Sequence, residues 1–217
     1  MTRDLSLEST EVSAGESLVT DEDGLASADA LNLLEHNDFA LWLNNRREIL
    51  VGRWAADVNA RLDDPDPSVI ELLRQFYGVT LQLLAGSFGP YRPQFEPILR
   101  QVAELYGSLG AKRSLAAGEI IEEVQILREA LIRLLFTDPP RGHGPALLLR
   151  EILRLNRVVD GMVTFASVGH TDALFFALFS GSGAPEALTP ELLDEIEDQL
   201  STLRTESDRL VGILGRS

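Results

Sequence analysis

Three carboxylates, Glu119, Glu122 and Glu123, fall within five residues of the stretch 114–136, SLAAGEIIEEVQILREALIRLLF. Carboxylates gathered on one helix are part of what a di-metal bundle requires, the rest being a Glu-x-x-His pair projecting inward from each of two helices. Here Glu119 is followed at i+3 by Glu122, and Glu122 by Gln125. No histidine completes the pattern, so no metal is expected. The apolar positions Ile120, Val124, Leu127, Leu131 and Leu134 step by four and three, which puts Glu122 and Glu129 on the opposite face. The spacing predicts a helix whose carboxylates face water or a partner's arginines, with Glu129 and Arg133 as an i, i+4 pair.

The three histidines are His36, His143 and His170. His36 precedes a helical pattern and suits a cap, and His143 lies in a Pro/Gly loop. His170 stands on a strongly apolar helix near Phe165, Phe175 and Phe176. A lone histidine in that setting is most often a hydrogen-bonded core or interface residue. Its functional alternative is an axial haem ligand in a haem, gas or small-ligand sensor. No second signal supports haem, and no cofactor is expected. No G-x-S-x-G, Walker A, G-x-G-x-x-G, H-E-x-x-H or EF-hand pattern occurs, and no local Ser/His/Asp arrangement suggests a triad. The expectation is a protein that is not an enzyme.

The bulk composition narrows the classes further. The chain has 217 residues, enough for one ordinary domain with appendages. It contains no cysteine, which excludes disulfides, thiolate catalysis and Cys-bound metals. The net charge is −15. Such a surface repels nucleic acid and anionic membranes, so neither is an expected partner. Arg46, Arg47 and Arg53 beside Trp54 then read as a solvated helix face, and Trp42 and Trp54 as core. No run of 18–20 uninterrupted apolar residues appears. The longest candidate, 161–179, is broken by His170 and Asp172. The acidic N-terminus does not read as a signal peptide, and a cytoplasmic location is expected.

These residues are positioned by a wholly helical pattern. Residues 1–25 form an acidic arm, with seven acids against Arg3, too poor in large apolar groups to order itself. A helical unit over 26–180 follows, with helices predicted at 37–62, 68–86, 94–109, 115–136 and 146–179. Pro97 is expected to disturb the third, and Gly161 and Gly169 to kink or split the last. Residues 181–188 read as a linker, and 189–217 as a final helix opened by Thr189-Pro190-Glu191. Its positions Leu193, Ile196, Leu200, Leu203, Ser207, Leu210 and Leu214 step by three and four, a heptad seam with one polar position. That seam is the expected partner or homodimer interface.

Three stretches carry a likeness to a known family: LWLNNRREILVGRWAADV; YGSLGAKRSLAAGEIIEEVQILREALIRLL, with Gly110, Arg113, Gly118, Glu122 and Leu127-Arg128; and LNRVVDGMVTFASVGHTDALF, with Asn156, Arg157 and Asp160. The segment from Phe39 to Phe179 resembles the N-terminal sensory domain of RsbR-type stressosome proteins, the RsbT co-antagonist family, which also precedes some bacterial histidine kinases. The resemblance implies a non-haem, globin-like all-α fold, helical dimerisation and a role in signal perception without catalysis. It implies protein partners such as a kinase, a phosphatase or a STAS-domain protein. In that family an output module follows. After Leu178 this chain continues only with the linker and the heptad helix.

Overall fold

The computed structural model describes residues 38–62, 66–142, 144–182, 185 and 188–214. The acidic arm, His36 and His143 lie outside them. Among the described residues the chain is all-α, with seven helices and no strand. They are α1 (38–44), α2 (Arg47–Asn59), α3 (Pro67–Gly86), α4 (Arg92–Lys112), α5 (Ala117–Thr137), α6 (Pro145–Phe179) and α7 (Pro190–Leu214).

Local signals set most of the boundaries. Asp66 caps α3 by accepting from the Ser68 N–H at 2.8 Å, with Pro67 at the first helical position. Thr189 caps α7 by accepting from the Leu192 N–H. Glu119 reaches back to the Ala116 N–H at 2.7 Å and satisfies an orphan donor at the start of α5. The α4–α5 corner closes with Ser114 in the left-handed region (φ 61°), while the Leu115 N–H bonds back to the Gly110 carbonyl.

Three expectations are corrected. The helix expected over 37–62 is two helices with a turn at Asn45–Arg46. There the Arg46 guanidinium leaves the helical path to pair with the Asp138 carboxylate and lie over the Trp42 ring. Pro97 does not break α4, because the carbonyl it leaves unpaired belongs to the first turn. Nor do Gly161 and Gly169 split α6, which runs unbroken for 35 residues.

Gly169 has a different purpose. A Cβ built on it would lie 1.9 Å from the Glu104 carbonyl oxygen, and one on Gly107 would lie 1.8 Å from that of Ala166. The backbones of α4 and α6 therefore touch, each helix offering a glycine where the other's carbonyl presses in. This is the most extensive helix pairing in the fold. Around it a single core gathers Trp54 from α2, Phe76 and Leu84 from α3, Tyr106 from α4, Leu127 from α5 and Val159 from α6. The core includes Trp42 and Trp54, as expected.

The seam of α7 belongs to this same core. Ile196, Leu200 and Leu203 are buried against α3 and α4, and Leu193 and Leu210 pack half-buried at the margin. The side chain of Leu214 lies outside the described residues. The polar position, Ser207, is fully buried and accepts from Gln82 Nε2 of α3 at 3.0 Å. Gln82 also donates to Asp208 and accepts from Arg47 of α2. This polar chain fixes the register of the last helix. The expectation that the seam forms an intermolecular interface is therefore corrected. A tethered helix reaches its own chain's groove at a high effective concentration, and here that groove fits.

The helix contact makes a sharp stability prediction. Gly107→Ala and Gly169→Ala must push two backbones apart and should each destabilise by about 3 kcal/mol in urea unfolding, the upper end of the usual overpacking cost. Gly52→Ala, whose Cβ meets nothing within 4 Å in α2, should instead be neutral or stabilising by about 0.5–1 kcal/mol.

Candidate functional site

The α4–α5 corner holds one cluster of buried ionisable groups. Arg113 and Glu123 are both almost fully buried and form a bidentate pair, Nη2 to Oε1 at 2.7 Å and Nη1 to Oε2 at 3.0 Å. The Tyr106 hydroxyl donates to the same Oε2, and the Trp54 indole N–H donates to the Glu123 backbone carbonyl at 2.7 Å. Trp54 stacks on Tyr77 with ring centroids 3.8 Å apart. The Tyr77 hydroxyl is buried and makes no well-formed hydrogen bond.

The electrostatics follow from this arrangement. Burial pushes the Tyr106 hydroxyl well above its ordinary pKa, with the charge of Glu123 adding to the effect. Burial and then Glu123 raise Tyr77 in the same way. For Arg113, burial alone would favour the neutral form. The hydrogen bonds and charge of Glu123 outweigh it and hold the guanidinium above its ordinary value. The cluster is thus an ion pair whose carboxylate takes the donors of Arg113 and Tyr106. It holds no free acid or base. What it does is pin α5 to α4 and to α2.

The glutamates of 114–136 consequently divide. Glu119 is a cap, Glu122 meets Arg61 at 3.0 Å on the surface, and Glu129 pairs with Arg133 as the spacing predicts. Glu123 departs from the expectation of solvent or a partner, because its arginine comes from its own chain. The sequence signal was available: Glu123 directly precedes Val124 of the apolar stripe, and Arg113 lies ten residues upstream across one tight turn. A second buried carboxylate, Glu151, is held by Arg150 and Arg154, and Arg154 also donates to the Phe88 carbonyl at 3.2 Å. Among the described residues no group of three or more His, Asp and Glu side chains could hold a metal.

His170 is a core residue. Its Nε2 lies 2.9 Å from the Leu115 carbonyl oxygen, which can only accept, so this nitrogen carries the proton. The neighbouring Gly169 is in backbone contact with α4. Phe165, Phe175 and Phe176 do not gather around His170. Phe165 borders one groove, Phe176 another, and Phe175 projects outward from α6. The three phenylalanines therefore do not line one pocket with His170, and its Nε2 is engaged by the Leu115 carbonyl.

Leu41, Ile49, Phe136 and Val211 are exposed elsewhere, but most of the large apolar side chains left exposed among the described residues lie on α6, many of them on its outer face. Leu149, Leu153, Val168, Phe175, Leu178 and Phe179 form a stripe along it, with Phe179 78% exposed and Leu178 64%. The polar residues Asp160, Thr164 and Thr171 lie on the same stripe between its two apolar ends. The inner face carries the buried Leu155, Val159, Met162 and Ala166. By length and composition α6 is long and apolar enough to cross a membrane, with a window of mean hydropathy 1.4. Compared with known protein families, curated proteins and solved structures, the chain has no match in any of the three.

Two contrasts test the corner. Tyr106→Phe removes a donor from a buried carboxylate and should cost about 1.5–3 kcal/mol, whereas Tyr77→Phe deletes an unpaired hydroxyl and should be neutral or stabilising. Both tyrosines keep their protons in the fold to a higher pH than in the unfolded chain. The stability they confer is intact below about pH 10 and falls as pH rises beyond it. Urea midpoints between pH 8 and 11 should show that loss, reduced in Tyr77→Phe. Separately, Leu200→Asp should unfold the protein rather than change only its assembly, which circular dichroism and sedimentation together distinguish.

Proposed function

We propose that the protein is a non-catalytic regulatory protein of bacterial signalling, a sensor or adaptor that works as a helical homodimer through protein–protein contacts. The supporting observation is the outer stripe of α6 beside an interior whose buried carboxylates are all paired. The stripe's six apolar side chains expose on the order of 700 Å², close to the ~800 Å² per partner of a specific interface. The interface is α6 against α6 rather than the α7 seam.

The stripe has a symmetry that suits a second copy. Its apolar ends, Leu149 with Leu153 and Phe175 with Phe179, lie at similar distances on either side of Thr164. Antiparallel pairing about a two-fold axis at Thr164 sets Leu153 against the other copy's Phe175, and Leu149 against its Phe179. Each small end then meets a large one. The polar middle stays at the axis, where Asp160 is already paired with Arg128 of α5. The globin-like, RsbR-type reading of the fold agrees with this mode of action, since both place the function in helix packing and protein contacts.

Sedimentation equilibrium tests the proposal. The parent chain should be a dimer, and Phe175→Glu with Phe179→Glu a monomer of unchanged helix content. As the chain has no cysteine, Leu153→Cys with Phe175→Cys should form an intersubunit disulfide only in the antiparallel register. A monomeric parent chain, or one that partitions onto lipid vesicles through α6, would overturn it.

A further inference from the structure

We infer that the groove between the start of α4 and the middle of α6 is a binding site for a small apolar carboxylate. It has a volume of about 500 Å³, within the ~300–1,000 Å³ range of small-molecule sites. Val158, Met162 and Phe165 of α6 form one wall, and Pro97 and Leu99 of α4 the other. Gly161 opens the floor, since a Cβ there would meet nothing within 4 Å.

The charge at the rim identifies the ligand class. Three guanidiniums, Arg92, Arg100 and Arg157, border the groove against the single carboxylate of Glu96. On a chain of net charge −15 this is a local reversal of sign. Arg92 is engaged with Glu96, and Arg100 pairs with Glu104 outside the groove. Arg157 makes no ion pair or hydrogen bond among the described residues. The Arg100 guanidinium lies 4.6 Å above the Phe165 ring, which presents a flat cation beside an apolar wall. An anionic head between Arg100 and Arg157, with a hydrocarbon or aryl body along Met162 and Phe165, satisfies both halves of the groove. A carboxylate fits the planar fork of an arginine in two-point contact. A neutral apolar molecule would gain nothing from the exposed Arg157, and an inorganic anion would gain nothing from the walls. All the lining residues come from one chain, but Arg157 also stands on the polar middle of the α6 stripe. Binding is therefore measured in the Phe175→Glu, Phe179→Glu variant as well, where its persistence separates the site from the α6 dimer.

Met1 and Met162 are the only methionines, so methyl labelling of methionine in the full chain gives one reporter inside the groove. Titration with phenylbutyrate should shift the Met162 signal saturably, with phenylbutanol and acetate each binding at least about tenfold more weakly. Arg157→Glu and Arg100→Glu should each lose about tenfold in affinity while keeping the parent helix content. The inference is overturned if no saturable shift occurs, if the alcohol binds as well as the acid, or if the two charge reversals leave binding unchanged. It is also overturned if neutralising Asp21, Glu22 and Asp23 to their amides shifts Met162 without added ligand, because the chain's own acidic arm would then be the occupant.

Discussion

The fold depends on the backbone contact between α4 and α6. Gly107 and Gly169 let each helix press a carbonyl into the other's surface, at Ala166 and Glu104. Any side chain at either position would hold the helices apart and change where the flanking residues lie. The contact sets the rotation of α6, and that rotation decides which residues of a 35-residue helix are core and which are surface. It turns Leu155, Val159 and Met162 inward and leaves Leu153, Phe175 and Phe179 outward. It also brings His170 to the Leu115 carbonyl, which ties the same helix to the α4–α5 corner.

That corner is the second fixed point. An ion pair in the core is stabilising only when its geometry is good and its remaining hydrogen-bonding groups are matched. The bidentate Arg113–Glu123 contact and the Tyr106 hydroxyl meet that condition, and the Trp54 indole matches the backbone beside it. The orphan hydroxyl of Tyr77 is the one weak member. These groups are used up in holding three helices together, and none is left to transfer a proton. The outer stripe of α6 and the arginine-bordered groove beside it lie outside this network.

The heptad seam shows how a correct periodicity can point to the wrong partner. A three–four step of apolar residues requires only that something apolar lie along it. It does not distinguish a second chain from a groove in the same chain. Here α3 and α4 supply the groove, and the Gln82–Ser207 hydrogen bond selects its register. The seam's burial then shifts attention to α6, whose apolar residues the sequence alone does not divide between core and surface. Only after the core is filled does a surplus apolar face remain.

The sequence by itself determined the helical class, the bounds of most helices and the caps at Asp66 and Thr189, because these depend on residues within a few positions of one another. It also determined the pairing of Glu129 with Arg133, which lie one turn apart on a single helix. The tertiary structure decided the burial of Glu123 and its union with Arg113 and Tyr106, the break at Asn45–Arg46, and the role of Gly169 as a point of contact rather than a hinge. It decided too that Arg92, Arg100 and Arg157 border one groove. Each of these depends on which helices become neighbours and how they are rotated. A one-dimensional pattern records the period of a helix, but the angle at which it meets its neighbours is fixed only when the helices pack.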